Sequence, residues 1–385
     1  VRRETGDHEK QTYSEGAIVS SKIGWIVAGV IVLVVGGVII GVICNNMYST
    51  TDPTEDTTAA GALDYQDVAV PITTVVPAEP GGSGNAADDY QKAIEIVKPL
   101  YEKAVEDNSE HPQTILDKTA ADIGTWYPPQ VGKPVNRAVN PEGLELMEKI
   151  AAFVAQGATK KEMKYPFNLE KMEVTFLLPE AKYFQVVSQA LSDYAHYQVM
   201  VLKKNEEAQK IIFNRFIMGW HMSHDRVYPY FVVVGLEVQA HACHWLGDSD
   251  GLYPNWPGHE GQAEKAQTYV NAIQDVETFF SNKNKYMFSR FTRENELPNP
   301  GDLFNVVQND KDPCWRVQGL FSLGILKYSS ALINSDHLSG DSKRRQSLID
   351  EKLKNGTDEE KAAARAAEKF TKDDYTNLAS KNANY

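Results

Sequence analysis

Two apolar patterns divide the chain. Residues 24–44, GWIVAGVIVLVVGGVIIGVIC, are one unbroken apolar run without charge or proline. Its 21 residues, wound as a helix, extend roughly 31 Å, about one hydrocarbon thickness. The run therefore predicts a single transmembrane helix over residues 23–46. It is longer than the apolar part of a cleaved secretory signal. Ile43 stands where a lipoprotein signal needs a small residue, and a pilin-type segment would carry an early Glu.

Beyond residue 88 the pattern changes to helical spacing. Ile94, Val97, Leu100, Tyr101 and Ala104 fall on one face of a helix over residues 90–106, with Asp88 as its expected cap. Pro141 reads as a first-turn proline of a helix to about Ala155. The strongest run, residues 179–247, divides into three helices. The first covers 181–203, the second covers 206–222 after the turn Lys203-Lys204-Asn205, and the third runs from near Asp225 to Leu246. A helix over 260–281 follows the loop 248–262, and residues 282–311 read as irregular, with Pro298 and Pro300. Asp312-Pro313 opens a helix to about Asn334, and further helices are predicted over 342–353 and 358–370. The expected fold class is all-α: one N-terminal transmembrane helix, an extended linker, then stacked helical hairpins over residues 89–380.

The segments between are polar. Residues 1–22 hold four basic and four acidic side chains and form a short tail. Residues 47–88 read as an extended Pro/Thr/Gly linker, because Pro71, Pro77 and Pro80 forbid a central strand and Gly81-Gly82-Ser83-Gly84 reads as a hinge. The stretch 68–80 is expected to be a stalk, or else an edge strand lying on a neighbour. Arg2, Arg3, Lys10 and Lys22 precede the apolar run, and the next basic residue is Lys92, so the tail is expected in the cytoplasm and the body in the periplasm or outside the cell. Gly37 and Gly41 form a GxxxG within the run, a candidate helix-pairing face.

The formal net charge of the 385 residues is −13, which argues against nucleic acid as the main partner. Cys243 and Cys314 are the only cysteines of the body and are expected as buried thiols; no CxxC or haem-attachment signal occurs.

Two stretches resemble known helical repeats. Ala190, Ala195 and the turn Lys204-Asn205-Glu206-Glu207-Ala208 resemble one tetratricopeptide unit, without its closing proline. Asp312-Pro313-Cys314-Trp315-Arg316, followed by Leu320, Leu323 and Gly324, resembles the second helix of a HEAT-type repeat. Asp358 lies 46 positions further, within HEAT spacing, which suggests a repeat pair over about 312–372. The overall pattern of residues 180–375 is similar to membrane-anchored helical proteins of planctomycete-like bacteria. The resemblance implies an α-solenoid that binds other proteins.

Candidate chemistry centres on His221, His224, His241 and His244, two pairs at i, i+3 spacing. Each pair shares a helix face, and together they would supply a four-histidine metal or bis-histidine haem site if a helix break brought them together. Asp248, Asp250 and Gly251 resemble part of a calcium loop, but Leu246 and Pro257 stand where it needs acids. His259, Glu260 and Asp302 offer acid/base groups without a partner nucleophile, and no GxSxG, Walker loop, dinucleotide fingerprint or HExxH occurs. Tyr253 and Trp256, aromatic on a loop, are candidate contact residues. The expectation is a non-enzymatic, cofactor-free scaffold or assembly subunit of the cell envelope, whose partners are other membrane or envelope proteins. The alternatives are a metal or haem protein using the four histidines and a structural subunit of a membrane-associated polymer.

Overall fold

The computed structural model describes residues 70–107, 119, 141–167, 179–247, 261–294, 300–328 and 338–376, all within the compact unit Ala62–Tyr385. The described part is mostly helical, as the sequence predicts. In chain order the helices are α1 (Ala87–Asp107), α2 (Pro141–Ala158), α3 (Pro179–Met200), α4 (Asn205–His224), α5 (Pro229–Gly247), α6 (Gln262–Glu294), α7 (Pro300–Asn309), α8 (Pro313–Leu326), α9 (Leu338–Asn355) and α10 (Asp358–Lys369). Two short strands, β1 (Gly82–Asn85) and β2 (Lys160–Glu162), pair in parallel.

Helices meet mainly their first and second neighbours along the chain. α1 packs on α2 and α3, α2 on α3 and α4, α3 on α4 and α5, and α5 on α4 and α6. A second group follows, with α8 on α7 and α10, and α9 on α7 and α10. Contact between α5 and α8 joins the groups. α5 therefore has neighbours on most sides, and its composition answers that demand: Phe231, Val232, Val233, Val234, Leu236 and Val238 are all buried.

A close backbone contact joins α4 and α5. A Cβ on Gly219 would lie 2.7 Å from the Gly235 carbonyl oxygen, and one on Gly235 would lie 2.6 Å from the Ser223 amide nitrogen and 2.7 Å from the Gly219 oxygen. Only two glycines let the backbones approach so closely. The same contacts fix an antiparallel register, with Ser223 level with Gly235 and Gly219 level with Val238 and Gln239. A buried polar seam fills the interface beside them. The Gln239 amide donates to Ser223 Oγ and to the Gly235 carbonyl, each at 3.1 Å, and accepts from Tyr269 of α6 at 3.0 Å.

The start of the body differs from the sequence expectation. Residues 70–85 are part of the fold and not of a linker reaching residue 88. Ile72, Val75 and Val76 are buried in the core, and the Val75 carbonyl accepts from Gln262 at the start of α6 at 3.1 Å. The prolines that forbid a central strand do not forbid a short 3₁₀ turn, which forms at Ile72–Thr74. The glycine-rich stretch is a strand and not a hinge. A Cβ on Gly82 would lie 2.7 Å from the Thr159 oxygen, so glycine admits β1 against the neighbouring backbone. Asn85, rather than Asp88, serves the start of α1: its Oδ1 accepts from the Ala87 and Lys164 amides at 3.2 and 2.8 Å.

Residues 282–311 are also more regular than expected. α6 continues to Glu294, and Pro300 is the first residue of α7, where a missing N–H costs nothing. α8 ends at Leu326, short of Asn334. Its cap is Asp312, whose Oδ1 accepts from the Cys314 amide at 3.0 Å. At α10, Thr357 and Glu360 form a reciprocal capping box. Among the described residues no helix is long and apolar enough to cross a membrane. The predicted span, its Gly37 and Gly41, and the loop with Tyr253 and Trp256 lie outside the described residues.

The α4–α5 contact generates a test. Gly235→Ala should lower the unfolding free energy by about 1–3 kcal/mol, the range for overpacking a tight interface. Gly81→Ala, where a Cβ meets nothing within 4 Å, should leave it unchanged. Urea titration followed by far-UV circular dichroism reads both.

Candidate interaction surface

The four histidines do not converge. His221 and His224 end α4, whereas His241 and His244 lie near the end of α5, and the antiparallel register puts the pairs at opposite ends of the interface. Among the described residues no group of three or more His, Cys, Asp or Glu side chains is placed to hold a metal. His221 is fully buried, and both of its nitrogens are in use. Nε2 lies 2.9 Å from the Lys160 carbonyl, which only accepts, so Nε2 carries the proton. Nδ1 is then the acceptor for the Tyr90 hydroxyl at 2.7 Å. Burial lowers the imidazole pKa to about 4, which keeps it neutral as this pairing requires. His224 is exposed; its Nδ1 lies 2.9 Å from the Trp220 carbonyl, and its ring lies 4.3 Å from the Trp220 ring.

His221 belongs to a structural joint. Tyr90 reaches it from α1 and Lys160 from β2. Lys160 Nζ also pairs with buried Asp89 at 2.6 Å, and Lys92 pairs with Asp89 at 2.9 Å. Burial by itself would raise the Asp89 carboxyl, but the two lysines outweigh it and hold the group below its ordinary range. Asp225, just after α4, accepts from the Tyr165 amide at 2.6 Å, and burial raises its pKa to about 6. Cys243 and Cys314 are buried free thiols.

A different set of polar and aromatic side chains is brought together by the helix stack. It runs across α1, α3, α5 and α6. On α1, Lys98 and Glu102 are about half exposed, at 50% and 51%, with Nζ 3.9 Å from Oε1. Lys98 stands over the Tyr183 ring of α3 at 6.0 Å, and the Tyr183 hydroxyl donates to Glu102 at 3.0 Å. Tyr101 meets Tyr183 edge to face at 5.8 Å. Further along, Gln185 donates to Glu237 of α5 at 3.3 Å. Lys182 and Tyr230 are close enough to Glu237 to act on it electrostatically, as is Glu277 of α6.

Tyr101, Lys182, Gln185, Tyr230, Glu237 and Glu277 are half-buried, whereas Lys98 and Glu102 are exposed and Tyr183 is buried. Burial, then the charge of Glu277, pushes the Glu237 carboxyl up to about 7, against the pull of Lys182 and Gln185. Burial also raises Glu277 and lowers Lys182. Charged groups partly withdrawn from water, and only partly paired, are a surface whose polar groups are best satisfied by a second surface bringing complementary donors and acceptors. Tyr101 and Tyr230, half-buried beside them, supply rigid, amphipathic contact area.

A comparison with protein-family models, with curated proteins and with solved structures finds no match to this chain. The strip is thus read from its own geometry. Sequence reasoning assigned Tyr101 and Tyr183 to core stripes, and Tyr183 is indeed buried in the core with Tyr101 packed against it; it noted Glu237 only as a neighbour of the histidines. The one legible signal was a lone carboxylate inside the apolar run FVVVGLEVQA of α5.

Two measurements follow. Tyr90→Phe leaves His221 Nδ1 buried without a donor and should cost about 1–3 kcal/mol of stability in urea titration. Glu237 has a folded pKa above its unfolded value, so it contributes stability below pH 4.5 that is lost as pH rises through about 7. Glu237→Gln should therefore flatten the fall in melting temperature between pH 5 and pH 8, read by differential scanning fluorimetry.

Proposed function

We propose that this chain is a membrane-anchored scaffold or assembly subunit whose helical-repeat body binds other envelope proteins outside the cytoplasm. The observation that carries the reading is the strip across α1, α3, α5 and α6. Four helices contribute to one partly exposed polar and aromatic surface, the arrangement by which stacked helical hairpins bind proteins. The apolar run of residues 24–44 supports the anchor. The basic residues before it and their scarcity after it support an extracytoplasmic body. The tetratricopeptide-like and HEAT-like stretches support repeat stacking, as does the habit of each helix to meet its first and second neighbours.

The test is purification of the tagged full chain in mild detergent, with co-purifying proteins quantified by mass spectrometry. The double variant Lys98→Glu with Glu277→Gln changes charge on the strip without touching the core. It should retain the melting temperature within a few degrees and lose at least tenfold in partner recovery. A chain that purifies alone with about one metal or haem per molecule would sink the scaffold reading. Partner recovery unchanged by the variant would move the binding surface elsewhere.

A further inference from the structure

The turn between α3 and α4 is the one place among the described residues where two large apolar side chains stand exposed side by side. Val201 and Leu202 each keep 39% of their surface in solvent. Lys203 and Lys204 follow them, and both are exposed. Lys203 holds φ at 58°, in the left-handed region that glycine or asparagine adopts more easily. The backbone of the turn is fixed from within. The Val201 amide donates to the Tyr197 carbonyl at 3.0 Å, and the Lys204 amide donates to the Gln198 carbonyl at 2.8 Å. Behind the tip Glu206 and Glu207 open α4, and Glu207 pairs with Lys210 at 3.0 Å.

Contacts between the helices place this tip at the end of the body where the N-terminal segment enters. His196, near the end of α3, meets Trp245, near the end of α5, edge to face at 5.7 Å. A Cβ on Gly247, the last residue of α5, would lie 3.4 Å from Ala266 Cβ in the first turns of α6. Gln262, which opens α6, donates to the Val75 carbonyl at 3.1 Å. The ends of α3 and α5, the starts of α4 and α6, and residues 72–76 therefore share one end. The opposite end of α4 is marked by Asp225, which accepts from the Tyr165 amide at 2.6 Å. Residues 45–69 join the body to the apolar run 24–44, and even fully extended they cover at most about 90 Å. Trp245, half-buried at the tip's end of the stack, is a side chain suited to the boundary between lipid and water.

We infer that the α3–α4 tip docks on the phospholipid surface of the membrane that holds the chain. Val201 and Leu202 enter between headgroups and acyl chains, and Lys203 and Lys204 reach lipid phosphates. Apolar side chains gain by leaving water, and a lysine stem lies along the apolar layer while its ammonium stays at phosphate level. A tether fixed at the same end keeps the tip concentrated near that surface, so a contact this small is sufficient. The inference rests on the proposed anchor at residues 24–44 and adds which end of the body faces the bilayer.

The experiment uses the full chain in vesicles of three parts phosphatidylcholine to one part phosphatidylglycerol. Cys44→Ser with Leu202→Cys provides one reactive thiol, because Cys243 and Cys314 are buried, and it carries an environment-sensitive dye. A second chain carries the dye through Lys164→Cys, exposed beside Tyr165 at the opposite end. Lipids spin-labelled on the acyl chain should quench the dye at position 202 at least twice as strongly as at position 164. Lys203→Glu with Lys204→Glu, and separately Val201→Ser, should at least halve that quenching while leaving the melting temperature within a few degrees. Washing with alkaline carbonate reads the anchor separately. A chain that stays in the vesicles while both positions are quenched equally overturns the docking and leaves the anchor standing. A chain that is washed out overturns the anchor, and the docking with it. Equal quenching combined with loss of a co-purifying protein in Val201→Ser overturns the docking by assigning the tip to a protein partner.

Discussion

Gly219 and Gly235 bring the α4 and α5 backbones to within the width of a missing methyl group, and much of the molecule takes its register from that contact. Any larger residue at either place would slide or part the helices, because the atoms in the way are backbone. With the register fixed, one end of α4 delivers His221 to Tyr90 and the Lys160 carbonyl, tying the α4–α5 pair to α1 and β2. Further back along α4, Arg215 is buried and donates to Ser188 of α3, tying the same pair to α3.

The fold spends its buried charges on positions where chain segments must be stopped or joined. Asp312 caps α8, and Glu360 closes its own capping box while also accepting from Arg316 and standing 3.7 Å from Lys352. Arg345 donates from α9 to the Leu323 carbonyl of α8 and the Ala367 carbonyl of α10, satisfying groups at two helix ends from a third helix. Such pairs add little net stability over apolar packing, but removing one partner strands the other. Their effect is to penalise alternative arrangements of helices whose apolar faces are otherwise interchangeable.

Helices with a clear apolar stripe were legible in the sequence. Those at 87–107, 141–158, 205–224 and 358–369 fall within a few residues of their predicted places, because the apolar period is regular there. The reading failed where local rules were right and tertiary context overruled them. Pro71, Pro77 and Pro80 do exclude a central strand, yet Val75 and Val76 are apolar enough to be drawn into the core. Gly82 looked like a hinge because glycine is flexible, when it was needed for a close backbone approach. The four histidines illustrate a further limit. Spacing placed each pair on a helix face, but the antiparallel register that separates the pairs comes from two glycines whose partnership no local pattern announces. Arg215 was invisible for a related reason: one arginine in a helix carries no sign of its burial until α3 and α5 are placed around it.

The docking of residues 70–85 has a mechanical meaning. The chain arriving from the N-terminal side is clamped first by Ile72, Val75 and Val76, with Gln262 of α6 holding the Val75 carbonyl, and then by β1 against β2. These two clamps belong to parts of the sequence about a hundred residues apart. Tension along that incoming chain is therefore shared between α6 and the α2–β2 corner before it reaches α1. A pull applied at residue 70 would therefore meet the middle of the helix stack before its first hairpin.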